Sequence, residues 1–150
     1  MRIALKFNIS LILGVILMAT SVLSHDLAPY RWNNRILLIF SPDKTDPGYE
    51  VFNQSLEKNL SELLNRDLVV FRVFETAPSL INDKPLSPDH AQTLRDRFKV
   101  RSGRFRVILI GKDGGVKLVR EGHAELQEFL DLIDSMPMRQ QEMRKKGKSG

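Results

Sequence analysis

Three stretches of this chain are nearly continuous hydrocarbon: "RILLIF" at Arg35 to Phe40, "DLVVFRVFE" at Asp67 to Glu75 and "FRVILIG" at Phe105 to Gly111. Short apolar runs without alternation suit strands buried on both faces, as in the centre of a parallel sheet. A fourth stretch, "VKLVREG" from Val116, alternates and suits an edge strand with one wet face. The intervening "KDGG" predicts a tight hairpin turn, because Asp-Gly tolerates positive φ angles. From Tyr49 the period changes. Phe52, Leu56, Leu60, Leu63 and Leu64 form one stripe, with Glu57, Lys58 and Glu62 opposite, which predicts an amphipathic helix. Pro42, Asp43, Asp46, Pro47 and Gly48 make the loop before it. Residues 76–86 read as a polar connection. Ser87 then offers an N-cap with Pro88 at the first helical position, and Ala91, Leu94 and Phe98 give that second helix a narrow apolar face. A third helix runs from His123 through Leu126, Phe129, Leu130, Ile133 and Met136. Pro137 interrupts it, and the residues beyond are expected as frayed helix or disordered tail.

The order is β-α-β-α-β-β-α. A strand, a helix and another strand within some 40 residues predict a parallel pair joined by a right-handed crossover. The last two strands predict an antiparallel hairpin. The expected fold class is α/β, a four-stranded mixed sheet covered by helices on both faces, which is the minimal thioredoxin-like arrangement. The segments "RWNNRILLIFSP", "RDLVVFRV", "FRVILIGKDGGVKL" and "LIDSMPMRQQEMR" resemble signature stretches of a thioredoxin-like family catalogued as domain of unknown function 4174. The likeness covers roughly Tyr30 to Arg144. It implies an exported bacterial protein, with similar domains in vertebrate extracellular-matrix proteins that carry sushi repeats. It implies a fold and an address more than an activity.

The first 24 residues are set apart from the folded domain. Arg2 and Lys6 precede an uncharged stretch from Phe7 to Ser24, and Val22 and Ser24 offer a cleavage site before His25. That pattern predicts an export signal and a periplasmic or secreted protein, with an uncleaved anchor as the other reading. The division expected is 1–24 signal, 25–136 domain and 137–150 basic tail. The formal charge of +5 then divides as well: without Arg2 and Lys6 the chain keeps 21 basic and 18 acidic residues. Arg139, Arg144, Lys145, Lys146 and Lys148 lie beyond Pro137, against Glu142, so the body is close to neutral. A nucleic-acid groove is not indicated, and no span follows the signal.

The chain has no cysteine. Disulfide exchange and thiol-based peroxide reduction need a thiolate, and lipid attachment after the signal needs a cysteine too, so all three are excluded. No proline lies between Pro88 and Pro137, so the turn-shaping proline of a thioredoxin-like substrate groove is missing as well. Stability rests on packing without disulfides. His25, His90 and His123 lack metal-ligand spacing, Ser41 and Thr45 have no activating histidine nearby, and "IGKDGG" lacks the Ser or Thr of a phosphate loop. No catalytic residue, metal or cofactor is assigned.

Two candidate surfaces follow. Ser41, Asp43, Thr45 and Asp46 should lie at the carboxyl end of the first strand, with Arg101 and Arg104 across the sheet. Such an end could take a small anion at a helix start, although the same residues could simply turn the chain and cap the helix. The five basic residues from Arg139 to Lys148 could meet an anionic envelope or matrix surface, or merely complement the last helix dipole. Trp32, the sole tryptophan, is expected as a core plug below the first strand, with a partner-anchoring role as its alternative. The functional expectation is an exported, non-redox module that binds a protein or an envelope component. A thiol-independent enzyme acting on a small anion, and an accessory subunit using the "VKLVR" edge, are the alternatives.

Overall fold

A computed structural model describes residues 27–148. The export signal expected over 1–24, and His25, lie outside the described residues. The sheet is built on β1 (Arg35–Ser41), every residue of which is buried, and on β2 (Leu68–Phe74). The two run parallel, Arg35 against Leu68 through Ser41 against Phe74. On the other side of β1 lie, in order, the antiparallel strands β5 (Arg106–Ile110) and β6 (Val116–Glu121).

Among the described residues six strands are present where four are expected. The additional pair, β3 (Leu80–Ile81) and β4 (Lys84–Pro85), is a small hairpin on the outer side of β2, within the stretch read as a polar connection. Asn82 makes it possible. Its φ of 50° suits an asparagine, its N–H donates to the Val70 carbonyl, and its side-chain oxygen accepts from the Val70 N–H. Two short strands carry too few residues for alternation to announce them. The turn before β6 also differs from expectation. Gly111 N–H bonds the Gly115 carbonyl, with Gly114 at φ 84° and a register shift at Leu109/Ile110, which is a bulged loop rather than a two-residue turn.

Strand alternation sends side chains to two cores. Leu37, Ile39, Val70, Val107 and Leu109 pack under α1 (Pro47–Lys58), α2 (Leu60–Asn65) and α4 (Leu126–Ser135). Ile36, Leu38, Phe40, Phe71, Val73 and Ile108 pack with α3 (Pro88–Arg97). Helices thus cover both faces. The single stripe expected from Tyr49 is in fact broken at Asn59, whose side-chain amide donates to the Ser55 carbonyl as α1 ends. The break changes the phase: Leu56 and Leu63 are buried, whereas Leu60 and Leu64 face solvent at 50% and 74% exposure.

From Pro137 to Gly147 the chain is helical where a frayed helix or disordered tail is expected. Pro137 starts α5 (Pro137–Gly147), a position proline favours because the first helical N–H needs no partner. Buried charges lock α5 to the sheet. Glu142 accepts from both Arg35 terminal nitrogens at 3.1 and 3.2 Å and from Lys112 at 2.8 Å. Arg139 bonds Asp134 at 3.1 Å and the Asn65 carbonyl at 2.8 Å, while Arg66 grips Asp134 through two nitrogens. Arg35 is 1% exposed and Arg139 is 2% exposed. Burial pushes the Asp134 carboxyl up, but hydrogen bonds from Arg66 and Arg139 outweigh it and hold the carboxyl below the usual range. Glu142 is held low in the same way by Lys112 and Arg35 against its own burial. Among the described residues no helix is long and apolar enough to cross a membrane.

Candidate functional site

The carboxyl ends of β1 and β2 face the loop before α1, residues 75–79 and residues 100–105. Each expected loop residue is turned onto the loop itself. Ser41 is fully buried and its hydroxyl donates to the Asp43 carbonyl. The Asp43 carboxylate accepts from the hydroxyl and the N–H of Thr45, both at 2.7 Å, and these bonds hold it below the usual carboxylate range. Asp46 is the N-cap of α1, accepting from Tyr49 N–H at 3.0 Å. The negative charge at this helix start is therefore the chain's own. Gly48 lets the helix lie against the strand opposite, since a Cβ there would come within 2.7 Å of the Phe105 ring.

Arg101 and Arg104 are exposed and make no hydrogen bond or ion pair among the described residues; they contribute only at longer range to the depressed pKa of Glu121, whose main cause is its bond from Arg106. The structure does not bring them onto the 41–46 loop side chains. Glu75 occupies the ground between. Its Oε1 accepts from Arg95 Nη2 at 2.5 Å and from Gly103 N–H at 2.8 Å, and its Oε2 accepts from the Ser102 hydroxyl at 2.9 Å. Neither Glu75 nor Arg95 stands out in sequence, where both read as charged residues at element ends. A helical period with Arg95 beside Leu94 gives no hint of burial.

At the opposite end of the sheet Trp32 is not a core plug. It is 61% exposed. The turn Ala28–Tyr30 delivers Tyr30 to the core instead, where its ring meets Phe71 edge-on at 5.4 Å. Trp32 follows at φ 68°, with its N–H bonded to the Lys112 carbonyl at 2.6 Å. The Arg31 guanidinium lies 5.4 Å from the indole centroid and its Nε donates to the Asp113 carbonyl, so the ring's base is anchored on the β5–β6 turn. Lys112 also borders an open, mostly apolar groove of about 520 Å³ lined by Leu132, Met136 and Met138.

Of the five basic residues in and just after α5, Arg139 is sequestered in its ion pairs and cannot meet an external surface. Lys146 bonds Asn65, and Arg144, Lys145 and Lys148 are exposed around the negative end of the helix. On the outer strand β6, Lys117 pairs with Asp113 and Arg120 with Glu128, placing paired charges along the edge.

The chain is similar to several proteins. A reduced 2-Cys peroxiredoxin of Plasmodium vivax superposes with a TM-score of 0.59 at 18% identity, over 77% of this chain and 84% of that one. Thioredoxin peroxidase I of Plasmodium yoelii gives 0.55 at 20% identity, over 77% and 79%. These likenesses establish a thioredoxin-type fold. Coiled-coil domain-containing protein 80 of Danio rerio is 26% identical over 137 residues, which is 81% of this chain but only 16% of that protein's length. A family model described as "Domain of unknown function (DUF4174)" matches residues 26–142. The four-stranded core with its parallel first pair and the sequence match agree, and this cysteine-free thioredoxin-like chain belongs to the DUF4174 family.

Proposed function

We propose that this protein is an exported, non-catalytic recognition module that binds a protein partner through the end of the sheet marked by Trp32. One observation carries the reading: a tryptophan held in the left-handed backbone region, where a bulky residue is strained by about 1–3 kcal/mol, with its ring turned to solvent. A fold that tolerates strain to display an indole gains nothing from it in the isolated chain. Tryptophan and arginine dominate the centres of protein interfaces, and here Arg31 stacks on Trp32. The adjoining groove is lined by methionines, which adapt to varied partners. Occurrence of a similar domain as a small part of a much longer vertebrate protein also supports use as a module. The pattern of residues 1–24 supports export.

The alternative of a thiol-independent enzyme at the 41–48 loop draws no support from the geometry, because Ser41, Asp43, Thr45 and Asp46 are engaged with their own loop and α1. The test is capture from extracellular extract of the producing cells, with the full chain and a Trp32→Ala variant immobilised in parallel. The wild type should retain a defined protein, and the variant should lose it by about 30-fold, corresponding to about 2 kcal/mol for an interface hot spot. Equal retention by a variant with an unchanged circular dichroism spectrum would overturn the reading.

A further inference from the structure

A second feature of the molecule lies away from Trp32 and does not depend on it. Between the 75–79 loop, α3 and Val100 there is a cleft of about 760 Å³, within the range of small-ligand sites. Its apolar lining includes Leu86, Ala91 and Val100, each with 9% exposure or less. Arg95 also lines it and is 7% exposed.

The guanidinium of Arg95 is incompletely used. Glu75 engages it through Nη2 alone, while the same carboxylate spreads its remaining bonds over Ser102 and Gly103. Arg95 Nη1 is buried and has no hydrogen-bond partner among the described residues. Arginine has five N–H donors and no acceptor, so an orphaned terminal nitrogen calls for an oxygen from elsewhere. A neutral oxygen would satisfy the bond, but the surroundings favour a charged one. Residues 95–106, "RDRFKVRSGRFR", hold Arg95, Arg97, Lys99, Arg101, Arg104 and Arg106 against Asp96 alone. The side chains of Lys99, Arg101 and Arg104 have no hydrogen-bond or ion-pair partner among the described residues, and Arg101 sits between the cleft residues Val100 and Ser102. Glu75 cancels one positive charge and Glu121 pairs with Arg106, which leaves the segment 95–106 beside the cleft net basic.

We infer that this cleft binds a small organic carboxylate with an apolar body, its oxygen on Arg95 Nη1 and its hydrocarbon on Leu86, Ala91 and Val100. This site is on the α3 face, separate from the loop before α1 where the sequence suggests an anion. The test is an NMR titration of the ¹⁵N-labelled full chain with 3-phenylpropionate at millimolar concentration, beside its neutral amide 3-phenylpropanamide. Saturable shifts should appear in residues 74–79, 91–95 and 100–102, with the amide weaker by about tenfold. Arg95→Lys should weaken the carboxylate by a similar factor. Because that change could unfold the chain through Glu75, a second variant, Gln92→Phe, is placed at the exposed rim, where it should obstruct entry and abolish the shifts while the rest of the spectrum is kept. Equal response to acid and amide, indifference to Gln92→Phe, or no saturable shift would overturn the inference; the last outcome would mean that water alone satisfies Nη1.

Discussion

Replacing Glu142 by glutamine probes whether α5 is part of the folded body. The Glu142 side chain is 21% exposed, and its partner Arg35 is 1% exposed. After the change Arg35 keeps only the Arg66 carbonyl at 3.0 Å and whatever the amide oxygen accepts, and Lys112 keeps Asp67. Removing one member of a buried ion pair costs about 3–5 kcal/mol, because the remaining charge is stranded. Partial exposure of Glu142 and the surviving amide oxygen lower the expected loss to about 2–3 kcal/mol. Domains of this size hold about 5–15 kcal/mol in total, so the effect is large. At about 4 °C per kcal/mol, Tm should fall by about 8–12 °C. Thermal and urea unfolding followed by circular dichroism would measure it, with an unchanged urea m-value. Arg35→Met combined with Glu142→Gln should cost less than the sum of the single changes, since neither charge is then left alone. A loss below about 0.5 kcal/mol would refute the reasoning and make Glu142 an ordinary surface partner.

The same network sets an acid response. Asp134 and Glu142 are held below the ordinary values of 3.8 and 4.5, so the stability they add is complete above those values and disappears as pH falls through the lower, folded ones. Urea midpoints should therefore be level above about pH 5 and decline below it, less steeply in Glu142→Gln; parallel declines would contradict this. The break at Asn59 predicts a contrast between two leucines of one apparent stripe. Leu56→Ala should cost about 2–5 kcal/mol and Leu64→Lys less than about 0.5 kcal/mol, whereas a continuous buried helix would make both costly.

Much of the fold is legible in the sequence because hydrocarbon runs as dense as 36–40 and 68–71 have only one place to go. The parallel β1–β2 pair, the β5–β6 hairpin and helices on both faces follow from that density and from period. Local patterns fail where a single residue or a distant partner decides. Asn59 breaks a stripe whose spacing alone reads as unbroken, and Asn82 folds a hairpin too short to alternate. Arg139 reads as a surface charge, and nothing local to Arg35 or Glu142 announces an ion pair between residues 107 positions apart. Trp32 reads as core for its place just ahead of the first strand, but Tyr30, two residues earlier, takes the contact with Phe71. The site has the same character: Asp46 as a cap is legible from its proline and spacing, while the Glu75–Arg95 contact needs the folded sheet.

Fluorescence of the sole tryptophan tests the recognition reading most directly. In the free protein, iodide should quench Trp32 nearly as well as it quenches free indole, and addition of the captured partner should suppress that quenching with a blue shift of the emission. An indole shielded already in the free chain, or one equally quenched in the complex, would contradict the account.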